Sequence, residues 1–318
     1  MTRLKPPWSD PDPVTPMRGG ERGRPLLLMV AGATLISFSA VFVSIADVSA
    51  EVSAFYRMFF GSVIMLGWLL IRHQPVRLSR RLWWVLALAG VFFTIDLTCW
   101  HASILIVGPG LGTLLANFQV FIMPLAGLWL FAESLHLRFF TGAALAMLGL
   151  WFQVGVGWSG FSDQYQLGIV LGLITAVAYA GYMISLRKAQ AMEQQRKPFE
   201  NLTIASVVCT IILALQLLAK DQSFAIPDTR SLLVLLAYGI FCQVVGWLLI
   251  TSAMPRLKAM TVGLMLLLQP TLSFTWDILF FGRSLTALEA VGVLLTLVGI
   301  YFGVTNHRAD RPQLEASS

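Results

Sequence analysis

The chain has 318 residues, of which 57% are hydrophobic and 12% charged, with a formal net charge of +6. A soluble globular chain runs nearer about 45–50% apolar and about 25% charged, so a water-soluble domain is excluded, as is disorder over most of the length. The 22 Lys and Arg lie in short clusters between long apolar runs, which argues against a nucleic-acid partner and for an integral membrane protein with lipid around it.

Residues 1–25 carry five basic residues and six prolines, and the first apolar run begins only at Leu26. A disordered cytoplasmic tail followed by an uncleaved first span is expected, since no small-residue cleavage site follows the run. A helix crossing about 30 Å of hydrocarbon needs roughly 20 residues. Ten runs meet that length: 26–45, 52–71, 82–104, 108–131, 139–157, 166–186, 201–219, 231–253, 259–281 and 287–305. They are continuous rather than alternating, so helices are expected and barrel strands are not. Residues 306–318 form a second polar cytoplasmic tail.

Threading ten helices from an inside N-terminus places 18 of the 22 Lys and Arg in inside segments and three outside, with Arg57 in the second span. This positive-inside bias puts both termini in the cytoplasm. The three cysteines, Cys99, Cys209 and Cys242, sit within apolar runs, and the four histidines make no spaced ligand pair. No disulfide framework, metal site or cofactor is expected.

The chain also echoes itself at an offset of 150, pairing Gln119 with Gln269, Leu135 with Leu285, Gly142 with Gly292 and Gly149 with Gly299. The sequence divides into five-span halves over 26–157 and 158–305. Five is odd, so the halves enter the membrane from opposite sides, the inverted-topology repeat of many secondary transporters. The glycines recur every seven residues on one helix face, where small residues let helices approach closely.

Tyr56-Arg57, FFTIDLTCWHASIL from Phe92, LLANFQVFIMPLAGLWLFAESL from Leu114 and LMLLLQPTLSFTWDILFFGRSL from Leu264 resemble the EamA-type branch of the drug/metabolite transporter superfamily. The resemblance covers about 26–305. It implies a ten-helix fold, a central cavity between the repeats, and carriage of small organic solutes, often outward. One departure stands out. The first repeat ends in the family's acidic residue, Glu133, whereas Arg283 occupies that place in the second.

Ionisable groups inside a membrane are costly unless paired or hydrated, so they are functional candidates by default. Arg57, Asp96 and His101 lie well within spans and, by topology, in the outer half of the first repeat. Asp96, Trp100 and Ser103 share a helix face, whereas His101 lies about 140° round the helix from Asp96. A pair between Arg57 and Asp96 is expected. It is either a fixed structural bridge or a transport site, with Asp96 taking a proton or a substrate amine. His101 is either a pH-responsive group or a residue hydrated near the interface.

Asn117 and Gln119 on the fourth span, Tyr179 and Tyr182 on the sixth, Gln243 and Trp247 on the eighth and Gln269 on the ninth either glue helices together or line a cavity. Gln269, Ser273 and Asp277 form one polar stripe. Pro124, Pro270 and Gly108-Pro109-Gly110 are candidate bends.

The sequence thus predicts a secondary transporter for small metabolites such as amino acids or related amphipathic solutes. A proton is the candidate coupling ion, and a homodimer is left open. No GxxxxGK[ST] loop is present for ATP drive. A channel or a lipid scramblase is the alternative. An enzyme is disfavoured for want of clustered acids or histidines.

Overall fold

The computed structural model describes residues 23–72, 78–122, 125, 137–155, 157–192, 198–253, 266 and 268–304, and among these there is no β-strand. Hydrocarbon offers the backbone no hydrogen-bond partner, so an apolar run of this length closes its own bonds as a helix. In chain order the helices are α1 (Gly23–Ser37), α2 (Ser39–Ile45), α3 (Ala50–Ile71), α4 (Arg80–Val107), α5 (Pro109–Ala116) and α6 (Leu137–Leu150). Then follow α7 (Asp163–Met192), α8 (Pro198–Ala219), α9 (Thr229–Ala237), α10 (Trp247–Ala253), α11 (Leu268–Phe281) and α12 (Ala287–Val304). A π-helical segment, Tyr238–Gly246, joins α9 to α10 without a break.

Seven stretches are long and apolar enough to cross a membrane: Arg24–Ile45, Ala50–Ile71, Arg80–Val107, Leu137–Gly160, Asp163–Leu186, Phe199–Ala219 and Thr229–Ile250. Each begins within three residues of a run read from the sequence. Pro109–Ile122 and Ala287–Phe302 are shorter apolar helices. Most of the rest of the fourth run, with Pro124, lies outside the described residues, as do Glu133 and most of the first part of the ninth run.

Polar side chains mark the helix starts. The Ser49 hydroxyl accepts from Val52 N–H, Ser79 from Leu82 N–H, and Asp228 from Ser231 N–H, each satisfying an orphan donor of a first turn. The two Ser231 hydrogen bonds, that from its backbone N–H first, hold the exposed Asp228 carboxyl below its usual range. Thr286 and Glu289 make a reciprocal capping box on α12, with Thr286 N–H donating to Glu289 at 2.8 Å and Glu289 N–H to Thr286 at 3.2 Å.

Two apolar clusters hold the bundle. One gathers Phe55, Met58, Phe93, Leu97, Leu202, Leu213 and Trp247. The other gathers Leu111, Leu114, Phe118, Phe139, Ile169, Phe274 and Ile300. The outer faces are apolar too: Trp84 is 63% and Leu294 62% exposed. Apolar surface on this scale is stable when lipid, not water, surrounds it.

The repeated glycines meet one another. A Cβ on Gly149 would lie 2.5 Å from the Gly292 carbonyl oxygen, and one on Gly299 would lie 2.6 Å from that of Gly142. Position 142 thus faces 299 and 149 faces 292, the crossed order of antiparallel helices. The repeat-equivalent helices α6 and α12 therefore pack on each other with backbones in contact, a geometry only small residues allow.

Candidate functional site

A cavity of about 110 Å³ lies inside the bundle. A water needs about 10–15 Å³ of such space, so it takes a small solute rather than a single water. Its wall is drawn from both halves of the chain: Ile36 and Ser37 from α1, Arg57 from α3, Phe93, Asp96 and Trp100 from α4, and Thr113 and Asn117 from α5 and its end. Tyr179 and Met183 come from α7, Trp247 and Ile250 from α10, and Gln269 and Ser273 from α11. The buried Thr113 hydroxyl and the Gln119 side-chain oxygen, both from wall residues, have no hydrogen-bond partner among the described residues.

Arg57 is 5% exposed and held on two sides. Its Nε donates to Gln243 Oε1 at 3.1 Å and its Nη1 to the Tyr238 hydroxyl at 2.8 Å. The guanidinium carbon also lies 4.9 Å from the Tyr238 ring centre and 5.7 Å from that of Trp100, distances at which ring faces attract a cation. Nη2 makes no hydrogen bond among the described residues.

The grip on Arg57 depends on the π-helical segment. In an α-helix, positions five apart point about 140° away from each other. Bonding between i and i+5 tightens that angle, so Tyr238 and Gln243 reach the same guanidinium. Gly61, one turn after Arg57, lets the segment come close: a Cβ there would lie 2.5 Å from Gln243 Cγ. Sequence reasoning missed Tyr238 because it assumed α periodicity throughout. The available signal was the spacing of Tyr238 and Gln243 in a helix containing Gly239 and Gly246.

Asp96 is 6% exposed and faces the same cavity. The expected pair is absent: among the described residues no ion pair joins Arg57 to Asp96. The arginine is taken up by Tyr238 and Gln243, and the Asp96 carboxylate receives no hydrogen bond from a described group. Thr175 donates only to the Asp96 main-chain carbonyl, at 3.4 Å.

Other sequence-predicted residues fall into two groups. Trp100, Asn117, Tyr179, Trp247 and Gln269 lie on the cavity wall with Arg57 and Asp96. His101, Tyr182 and Gln243 do not. Tyr182 stacks on Phe93 at 4.2 Å, behind the wall. Gln243 spends its amide oxygen on Arg57. His101, read from the sequence as either a pH-responsive group or a residue hydrated near the interface, is wholly buried, which leaves no room for hydration. It turns away from Asp96 to meet the Tyr238 hydroxyl at 3.2 Å. Ser103, on the Asp96 face of α4 by helix periodicity, is not part of the cavity wall; it donates to Gly168 O at 2.8 Å and joins α4 to α7.

One turn beyond Ser273, Asp277 and Arg283 form a separate cluster. Asp277 Oδ2 accepts from Gly110 N–H at 3.0 Å, capping the start of α5 from another helix. Arg283 Nη1 lies 3.4 Å from the same oxygen and donates to Val107 O at 2.9 Å, while Nη2 lies 3.8 Å from Glu289. The arginine that departs from the first repeat's acidic pattern thus ties the Gly108-Pro109-Gly110 break to α11 and α12. A second recess of about 530 Å³, lined by Ile64, Met65, Trp68, Leu69, Arg72, Phe199, Val244 and Leu248, is almost wholly apolar and contains none of the predicted site residues.

A multi-helix membrane protein with a charged internal cavity is the class these features define. The EamA-like transporter family model matches residues 23–155 and again 166–305. The chain belongs to that family and is a multi-pass transporter of the cell membrane, not an enzyme. It is 26% identical over 275 residues to the pseudopaline exporter CntI of Pseudomonas aeruginosa, covering 85% of this chain and 93% of that one. It is also 26% identical over 176 residues to the threonine/homoserine exporter RhtA of Salmonella typhimurium, covering 55% of this chain and 57% of that one. A solved structure superposes with a TM-score of 0.63 at 17% identity, covering 89% of this chain and 98% of the other, a likeness of fold alone.

Proposed function

We propose that this protein is a secondary active exporter of small zwitterionic metabolites, amino acids or their close relatives. It works by alternating access between two five-helix repeats, 26–157 and 158–305. In this reading ten helices cross the membrane and both termini are cytoplasmic, which the distribution of basic residues supports. The observation that carries the substrate class is a single cavity lined by a guanidinium and a carboxylate that form no ion pair with each other. A solute with its own carboxylate and ammonium satisfies both charges at once, and a buried charge left unpaired is expensive. The names of the relatives, exporters of an amino-acid pair and of pseudopaline, support the same reading.

In this account Arg57 Nη2 takes the solute carboxylate, and Asp96 takes the ammonium or, in the empty carrier, a proton. Trp100, Tyr179 and Trp247 provide apolar surface for the rest of the solute, while Asn117 and Gln269 offer amides to its polar atoms. Ion coupling through Asp96 requires only that the carboxylate be charged on one side of the cycle and neutral on the other.

Counterflow in proteoliposomes tests this. Vesicles loaded with a labelled extract of cell metabolites are diluted into an unlabelled one, and mass spectrometry reads which solutes exchange. Selective, saturable exchange of a few amino-acid-like solutes is expected. Conductance without saturation, or exchange of lipid alone, would overturn the proposal in favour of a channel or a scramblase.

A further inference from the structure

We infer that Tyr238 and His101 are positioning residues, which act through Arg57 to hold its guanidinium toward the cavity with one nitrogen left for the solute. The inference rests on the exporter reading and adds to it two residues that do not themselves line the cavity.

The hydrogen bonds form a chain with one consistent direction. His101 Nδ1 lies 2.7 Å from the Leu97 carbonyl oxygen, which only accepts, so Nδ1 carries a proton. The Tyr238 hydroxyl oxygen accepts from Arg57 Nη1 at 2.8 Å. Its own proton is directed at His101 Nε2, 3.2 Å away. Arg57 therefore donates to Tyr238, Tyr238 to His101, and His101 to the main chain of its own helix. Every step is buried. In such surroundings linked hydrogen bonds polarise one another, and a missing partner is costly.

The neighbours keep the chain in place. Phe42 stacks on Tyr238 at 5.8 Å, and Trp100 meets His101 edge-on at 5.2 Å. Gln243, five residues after Tyr238, takes Arg57 Nε from the same π-helical segment. Two of the guanidinium's three nitrogens are thereby held by protein groups. These two bonds hold the side chain in a position from which it makes no ion pair with Asp96. Tyr238 and His101 thus keep the cavity's two charges apart, which is what a zwitterionic solute needs.

The test has two independent readouts on the purified full-length chain. The first needs no substrate: nitrogen NMR of protein labelled with ¹⁵N-histidine. His101 should show a protonated Nδ1 and an unprotonated, hydrogen-bonded Nε2, and Tyr238→Phe should shift the Nε2 signal. A His101 protonated on Nε2, or a signal indifferent to Tyr238→Phe, would overturn the network.

The second compares exchange of an amino acid with that of the amine left when its carboxylate is removed. Tyr238→Phe and His101→Leu should each weaken the amino acid about tenfold, the scale of one hydrogen bond to a charged group. The amine should change less than twofold. His101→Gln, whose amide oxygen can accept from Tyr238, should recover most of the loss. Equal losses for both solutes would mean a general packing role and overturn the inference. If Tyr238→Phe does not fold, the His101→Leu and His101→Gln pair decides. If the unaltered protein exchanges neither solute, the exporter reading fails while the histidine spectrum still judges the network.

Discussion

Asp277 and Arg283 touch at 3.4 Å, whereas Arg57 and Asp96 face one cavity without forming an ion pair. The same two residue types do different work because of what else each has to bond. Asp277 finds Gly110 N–H, and Arg283 finds the Val107 carbonyl and Glu289, so that cluster is complete and fastens helix ends. Arg57 finds Tyr238 and Gln243, which are neutral, so neither it nor Asp96 is tied up in an ion pair among the described residues. A closed cluster is structural and an open one is a binding site, and this difference can be measured.

The largest effect should come from Arg57→Ala. Losing a charge-assisted contact of about 3 kcal/mol corresponds to roughly 100-fold in apparent affinity for a carboxylate-bearing solute, read by counterflow per unit of folded protein. Asp96→Asn should come next. Exchange of ammonium-bearing solutes should fall at least about tenfold, and any proton-coupled flux should disappear while folded yield is kept. Retained coupling in that variant would remove Asp96 from the mechanism.

Asp277→Ala should do the reverse. Leaving Gly110 N–H and Arg283 without their partner should cost about 1–3 kcal/mol of stability, seen as a lower unfolding temperature in detergent, with solute affinity within about twofold of the parent. If affinity fell as far as in Arg57→Ala, the division between the two clusters would collapse. The smallest effect belongs to Lys220→Ala. Its bridge to Glu51, at 3.0 Å, involves a Lys220 side chain that is 53% exposed, and such pairs contribute about 0–1 kcal/mol.

What could be read from the sequence follows the same line. Continuous apolar runs give helices whatever the neighbours do, so the seven candidate spans among the described residues begin within a few residues of expectation. The glycine spacing anticipated a close approach, though not that Gly149 would meet Gly292 and Gly142 meet Gly299. Arg57, Asp96 and five of the other eight candidates reach one cavity because a polar side chain in an apolar run has few other places to go. The expected Arg57–Asp96 bridge failed because opposite charges at similar depth say nothing of competing acceptors. The competing acceptor, Tyr238, was hidden by a local change of helix period. His101 was misplaced for a related reason: distance along the helix axis locates depth, not which side of the helix is buried.

In the proposed exporter the open pair selects a solute with two opposite charges. The most direct measurement takes the amino acid that exchanges fastest in proteoliposomes and compares it with its amide, which lacks the carboxylate, and its N-acetyl derivative, which lacks the ammonium. Each blocked analogue should compete at least about tenfold more weakly, and Arg57→Ala should abolish the difference between acid and amide. Equal competition by all three solutes, with exchange intact, would contradict it.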